Sequence, residues 1–433
     1  MSFLVKFMKS KKIFIELDFI KKNEILKLYL CYIIFITISS LVFSFLYIYK
    51  FPDQIDSNKD VILLNIPFSF GDLINNLVNK NLYIQEIYDI DFYLARHPFL
   101  PIFLSILFKI SKNIFFIVII KNIIIFSLYF YCCYKLLLKN KNTFLLFIIT
   151  LLVPVIIPYN FNVAINYVYE DNLIAIFLPL LFLSLISKNE YKMLFASSFL
   201  FFLYFIKGTT FFLVIVLAFA ILKLNKNIKF SKLPFLTVIL AITIWGSFGY
   251  FKTGRFPFLN TLESTNSYHL SLMLNKDFQK YYPNLSVDLL EKKPDRKINT
   301  EWEFYDYYNN KNYIFLKQNY DQYFKDIFLK LKFIFFGIIA DGHGKLEKDS
   351  LHPAPIRVSS IFSKTFFNIA ILIALYQLIK NKKKFEIYFL LIITLYLLPL
   401  IIAWATTKHL VPLFNVSLIY LIFKLNFYID KIK

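Results

Sequence analysis

Apolar runs long enough to cross a bilayer recur along the whole chain, and short lysine-rich turns separate several of them. A bilayer core of about 30 Å is crossed by about 20 helical residues. Lipid satisfies no backbone hydrogen bonds, so spanning segments must be helices or a closed barrel. The runs are continuous and lack the alternation of a strand, which selects helices. The expected fold is all-α, a polytopic transmembrane helix bundle of about 10–11 apolar segments with loops at its outer face. Of the 433 residues, 58% are hydrophobic, against about 45–50% in soluble domains.

The formal net charge is +21. In a soluble chain this would suggest nucleic acid. Here the lysines sit mainly in short turns and at the N-terminus, where positive-inside topology places them, so nucleic acid is not an expected partner. The first apolar run, at about 29–50, shows no small-residue cleavage site and reads as a retained anchor. Cys31, Cys132 and Cys133 lie within apolar runs and imply neither disulfides nor a metal site.

Residues 1–28 read as cytoplasmic, and 51–96 as an acidic first outer loop. Basic turns at 135–142, around Lys188 and Lys192, at 223–232 and at 380–384 read as inner. The polar stretch 252–328 is outer, and the last spans fall near 360–380, 385–403 and 409–425. Two apolar segments, 97–110 and 114–138, link an outer His97 to an inner Lys135, where parity asks for an odd number of crossings. One of them is therefore expected to be half-buried or strongly tilted. The segment 326–340, with outer sequence on both sides, is expected at the membrane interface or dipping into it. Three regions follow: an N-terminal transmembrane module over 1–251, a large outer region over 252–359, and C-terminal transmembrane helices over 360–433.

On this topology every arginine (Arg96, Arg255, Arg296, Arg357) and every histidine (His97, His269, His343, His352, His409) lies outside. Arginine's planar fork suits phosphate and carboxylate, whereas lysine is a point charge. The pattern points to an anionic, phosphate-bearing ligand at that face. The competing account is that the outer segments simply hold most of the polar sequence.

Four places can carry chemistry. The first outer loop holds Asp53, Asp56, Asp60, Asp72, Glu86, Asp89 and Asp91, followed at once by Arg96-His97-Pro98. Carboxylates there can act as general base or metal ligand, and the cations can receive a leaving phosphate. Tyr169-Glu170-Asp171 opens an apolar run. Such acids cap helices, yet acids at membrane depth are functional by default. Asp171 caps more naturally, which leaves Glu170 as the functional residue. Lys252-Thr253-Gly254-Arg255 forms a turn at headgroup height, and Lys408-His409 ends a late span. No nucleotide-binding glycine motif is present.

These features, in this order, resemble the GT-C superfamily of polytopic glycosyltransferases, in the bacterial branch related to protein O-mannosyltransferases and lipid A aminoarabinose transferases. The resemblance rests on an acidic first loop, on Arg96-His97-Pro98-Phe99-Leu100-Pro101, on Pro158 through Glu170, on Thr253-Gly254-Arg255-Phe256, and on Lys408-His409-Leu410-Val411-Pro412. It implies a polyprenyl-phosphate sugar donor used at the outer face of the membrane, with a first-loop aspartate as base. Gly71-Asp72 matches best, with Asp60, Asp89 and Asp91 as alternatives, since the tyrosine expected a few residues after the aspartate is absent. Arg96, His97, Glu170, Arg255, Lys408 and His409 are the expected substrate-binding residues. The acceptor is a hydroxyl on glycan, lipid or protein. The sequence singles out no cofactor, and the acid count permits a divalent metal. The rival readings are an O-antigen polymerase or ligase, which would depend on residues 252–359, and a transporter of lipid-linked anions.

Overall fold

The computed structural model describes residues 22–50, 71–87, 89–111, 113–138, 143–165, 170–262, 294, 296–336, 354–381, 383–402 and 407–432. They form a helical, polytopic membrane protein. The helices are α1 (Lys22–Lys50), α2 (Gly71–Asn79), α3 (Phe99–Ile110), α4 (Ile114–Leu137), α5 (Phe144–Ile156), α6 (Pro158–Ile165), α7 (Glu170–Ile186), α8 (Lys192–Ile206), α9 (Phe211–Leu224) and α10 (Leu233–Thr253). They continue with α11 (Glu301–Gln318), α12 (Tyr320–Phe336), α13 (Ala354–Asn381), α14 (Lys384–Ile402) and α15 (Thr407–Ile432). A small antiparallel hairpin, β1 (Gln85–Ile87) and β2 (Ile90–Phe92), lies between α2 and α3.

Among the described residues six helices are long and apolar enough to cross a membrane. These stretches lie in α1, α4, α10, α13, α14 and α15. α5 and α6 make a further candidate, bent by 77° at their junction. Pro158 opens α6, so its missing N–H costs nothing there while its ring prevents α5 from continuing. Shorter apolar helices, α3, α8 and α9, complete the bundle. α7 is its axis, with almost every side chain from Glu170 to Leu185 buried, packed against α8, α4 and α15.

The basic turns share one end of the bundle. Asn189 donates to the Lys135 carbonyl at 2.7 Å, and Lys384 donates to the Leu224 carbonyl. At the opposite end the chain builds a cap. Ile87, Ile90, Phe92 and Ala95 of the hairpin segment form a second hydrophobic cluster with Leu262, Ile298, Phe304 and Tyr308. This cluster joins sequence from both long polar regions.

The parity problem is resolved at α3. Its 12 residues span only about 18 Å at 1.5 Å per residue, too short to cross. It begins just after His97, and near its other end Lys109 donates to Asn81 Oδ1 at 2.7 Å. Both ends therefore lie at the cap end, and α4 alone makes the crossing.

Candidate active site

α7 opens on Glu170 and Asp171, both buried. A helix N-terminus presents free N–H groups and the positive end of the dipole, so carboxylates are favoured there. Buried charge still needs partners, and two other segments supply them. α8 ends at Ile206, and the turn that follows carries Lys207 in extended backbone, φ −155° and ψ 135°. Thr210 fixes this turn by donating to the Leu203 carbonyl at 2.6 Å. Lys207 Nζ then donates to Asp171 Oδ1 at 2.9 Å and stands 4.0 Å from Glu170 Oε2. From the first turn of α15, His409 Nε2 lies 3.4 Å from Asp171 Oδ2. Each oxygen of Asp171 thus faces a nitrogen from a different segment, Lys207 of the turn after α8 and His409 of α15.

Two phenols border this group. Tyr83 donates to the Arg96 carbonyl at 2.8 Å. Burial pushes its hydroxyl well above the ordinary range, the Glu170 charge raises it further, and Arg96 opposes them. Tyr396 of α14 lies in the field of both carboxylates. Arg96, Glu170, Asp171, Lys207 and His409 therefore converge at the cap end of the bundle, drawn from four stretches of sequence. A carboxylate pair can orient a hydroxyl, and cationic donors beside it can receive an anion.

The strand leading to Arg96 is itself anchored. Glu301, the first residue of α11, accepts from the backbone N–H of Tyr93 at 3.3 Å, from Leu94 N–H at 3.1 Å and from the Thr261 hydroxyl at 3.1 Å. Thr261 N–H closes the arrangement on the Leu94 carbonyl at 2.9 Å. Burial pushes the Glu301 carboxyl up to about 7, against the lowering effect of these three donors.

His97 is fully buried, stacked on Trp245 at 5.2 Å and edge-on to Tyr204 at 5.5 Å. Burial lowers its pKa to about 3. Its ring is thus packed among aromatic side chains of the bundle in this conformation. Arg255 pairs with Asp306 at 2.8 Å and lies over the Trp302 ring at 5.4 Å. Trp302 in turn donates to Thr253 Oγ1 at 2.7 Å. The Thr253-Gly254-Arg255 turn therefore ties α10 to α11 within the cap.

No protein-family model matches the chain, and no curated protein matches it. Among solved structures it is similar to the Archaeoglobus fulgidus oligosaccharyltransferase, crystallised in complex with Zn and sulfate. The TM-score is 0.40 and the identity 13%, over 92% of this chain and 49% of that one. The chain spans about half the length of that structure.

Of the first-loop acids, Asp89 and Asp91 are exposed on the hairpin. Asp89 occupies the turn with φ 63°, a left-handed conformation that aspartate tolerates better than most residues. Asp91 stands opposite Glu86 across the two strands. Asp72 is the second residue of α2. The side chains of Asp72, Lys408 and Arg357 lie outside the described residues, as do Asp53, Asp56, Asp60, Tyr169, His269, His343 and His352. Among the described residues no group of three or more His, Cys, Asp and Glu side chains is arranged to hold a metal ion.

Lys207 is the residue that the sequence reading passed over. Its signal is a lone lysine in a very short turn between two apolar runs, at the end of the bundle opposite the lysine-rich turns. A lysine kept in such a place needs a partner or a task. Glu301 gave no comparable signal, because nothing in the sequence marks it as buried.

Proposed function

We propose that this protein is a membrane glycosyltransferase that moves a sugar from a polyprenyl-phosphate donor to a hydroxyl acceptor on glycan, lipid or protein, at the outer face of the membrane. One observation carries the reading: the buried Glu170–Asp171 pair meets Lys207 and His409 at the same end of the bundle as Arg96. Transfer from a lipid phosphate requires a carboxylate to orient or deprotonate the acceptor and cations to neutralise the leaving phosphate. Both kinds of group meet here, at one end of the helix bundle.

In this scheme the donor phosphate is received by Arg96, Lys207 and His409, with Lys408 adjacent in sequence. Asp72 is assigned as base from the first loop, with Asp89 and Asp91 as the alternatives. The hydroxyl attacks the anomeric carbon, its proton passes to the carboxylate, the bond from that carbon to the phosphate oxygen breaks, and lipid phosphate leaves. Glu170 and Asp171 hold the cations in register and flank the acceptor. Arg255, engaged with Asp306 and Trp302, is assigned to the cap.

The test uses purified protein in lipid, radiolabelled polyprenyl-phosphate sugars and a membrane extract as acceptor. Wild type should release polyprenyl phosphate and labelled product. Asp171→Asn and Lys207→Met should each lower turnover by about 100-fold or more, the scale of losing a buried charge contact to a developing anion. Turnover that survives both substitutions removes this site from the mechanism. Turnover that survives Asp72→Asn but not Asp91→Asn moves the base to the hairpin. No turnover by wild type with any donor rejects the reading.

A further inference from the structure

α12 carries an aromatic stripe that no part of the described structure covers. Tyr320, Phe324 and Phe328, spaced four residues apart, are 60%, 58% and 71% exposed. At 3.6 residues per turn they share an arc of roughly 80°. Asp321, Lys325 and Lys332, all exposed, fall on the adjoining arc. Lys330 and Ile334, both fully buried, mark the face turned toward the protein. The helix therefore has a protein face, an apolar face and a charged face in sequence around its axis, the pattern of a helix lying in a membrane interface.

The contacts of α12 set its depth. Near its start the Tyr323 hydroxyl donates to the carbonyl of Ile402, at the cap end of α14. Near its end Phe335 stacks on Phe367 of α13 at 5.8 Å and 16° between planes, and its carbonyl accepts from Asn368 at 3.0 Å. The candidate span of α13 runs from Val358 to Lys380, so Phe367 and Asn368 sit near its middle. From Tyr323 to Phe335 the helix advances about 18 Å, enough to pass from the bilayer surface to about half of a 30 Å core. The neighbouring surfaces of α13 and α14 are apolar and exposed at Ile361, Phe362, Leu398 and Ile402, as lipid-facing surfaces of spanning helices are. The stripe continues this belt.

We propose that α12 is inserted at a slant into the outer half of the bilayer, with Tyr320, Phe324 and Phe328 against the acyl chains and Lys325 reaching back to headgroup phosphates. Long lysine stems permit this, and each such charge near an anionic surface adds attraction. The occupant of the stripe is lipid. α12 thereby hangs the cap from the membrane at a slanted angle instead of letting it stand in water.

The experiment places single cysteines in the full chain, in a Cys31→Ser background that leaves the buried Cys132 and Cys133 in place. Tyr320→Cys, Phe324→Cys, Phe328→Cys and Lys325→Cys are each labelled with a nitroxide. The proteins are reconstituted in vesicles of phosphatidylcholine and phosphatidylglycerol, and collisions with oxygen and with an aqueous nickel chelate are compared. Oxygen should dominate several-fold at 324 and 328, more at 328 than at 320, and nickel should dominate at 325. Nickel dominance at 324 and 328 places the stripe in water and overturns the proposal. Weak collision with both reagents at these positions means that protein covers the stripe, a second copy of the chain included, and overturns it as well.

Discussion

A carboxylate that accepts two backbone N–H bonds and a hydroxyl bond ordinarily titrates low, yet burial pushes Glu301 up to about 7 from an ordinary 4.5. Its folded pKa thus exceeds its unfolded value. The stability it contributes is full below the unfolded value and is lost as pH rises through about 7. Glu301→Gln cannot titrate, and its amide sets an N–H against the Tyr93 or Leu94 donor, so the variant should be less stable at low pH, where the wild type is at its best. The gap between wild type and variant should narrow from roughly pH 5 to pH 7, by up to about 1.4 kcal/mol per pH unit. Glu301 is only 3% exposed, so solvent screening reduces this little. Thermal midpoints in detergent across that range check it, and parallel curves would reject the assignment. The same scale shows what a sequence reveals of a site. Glu170-Asp171 was legible because acids opening an apolar run stand out. The sequence does not disclose that Lys207 and His409 both meet Asp171. The partners come from segments 36 residues away for Lys207 and on the far side of the chain for His409, and only packing brings them together.

α10 and the turn after it show how much of the cap depends on two glycines with different tasks. Gly254 ends α10 with φ 75° and open space around it, the left-handed position that glycine takes at helix C-termini. Gly249 is helical, and a Cβ there would lie 2.3 Å from the ring of Pro257. That ring cannot swing aside because it is closed on the backbone. Gly254→Ala should therefore cost about 1 kcal/mol of backbone strain. Gly249→Ala should cost more, in the range of about 1–3 kcal/mol for overpacking, and should loosen the segment that holds Arg255 against Trp302. Thermal midpoints rank the two, with hydrogen exchange around residues 253–258 as the local readout. Equal effects, or a larger one at Gly254, would contradict the packing argument. At this scale long apolar helices are readable from hydropathy, while short elements are not. The length of α3 allowed either a tilted crossing or none, and Lys109 bonded to Asn81 decides it. A run of polar residues likewise does not disclose that Asp89 forms a turn or that Asp91 stands opposite Glu86.

Across the whole molecule the two ends carry their charge differently. At one end lysines at 223, 226 and 384 are exposed on short turns. At the other, Lys207 is matched by Asp171 and Arg255 by Asp306. Positive-inside bias acts through Lys and Arg in short segments flanking spans, and the exposed lysines at 223, 226 and 384 gather them at the lysine-rich end. The lysine-rich end should therefore face the cytoplasm and the cap the opposite side, which is the orientation that the proposed donor chemistry requires. Lys226→Cys and Lys252→Cys, both at exposed positions, report the two ends in a Cys31→Ser background. In sealed right-side-out vesicles a membrane-impermeant maleimide should label the protein at 252 at once and at 226 only after the vesicles are opened. The reverse pattern would put Glu170, Asp171, Lys207 and His409 on the cytoplasmic side. The ion-pair geometry would stand unchanged, but the lipid-linked donor would have to be reached from the inner leaflet, and the assignment of an outer-face transferase would fall.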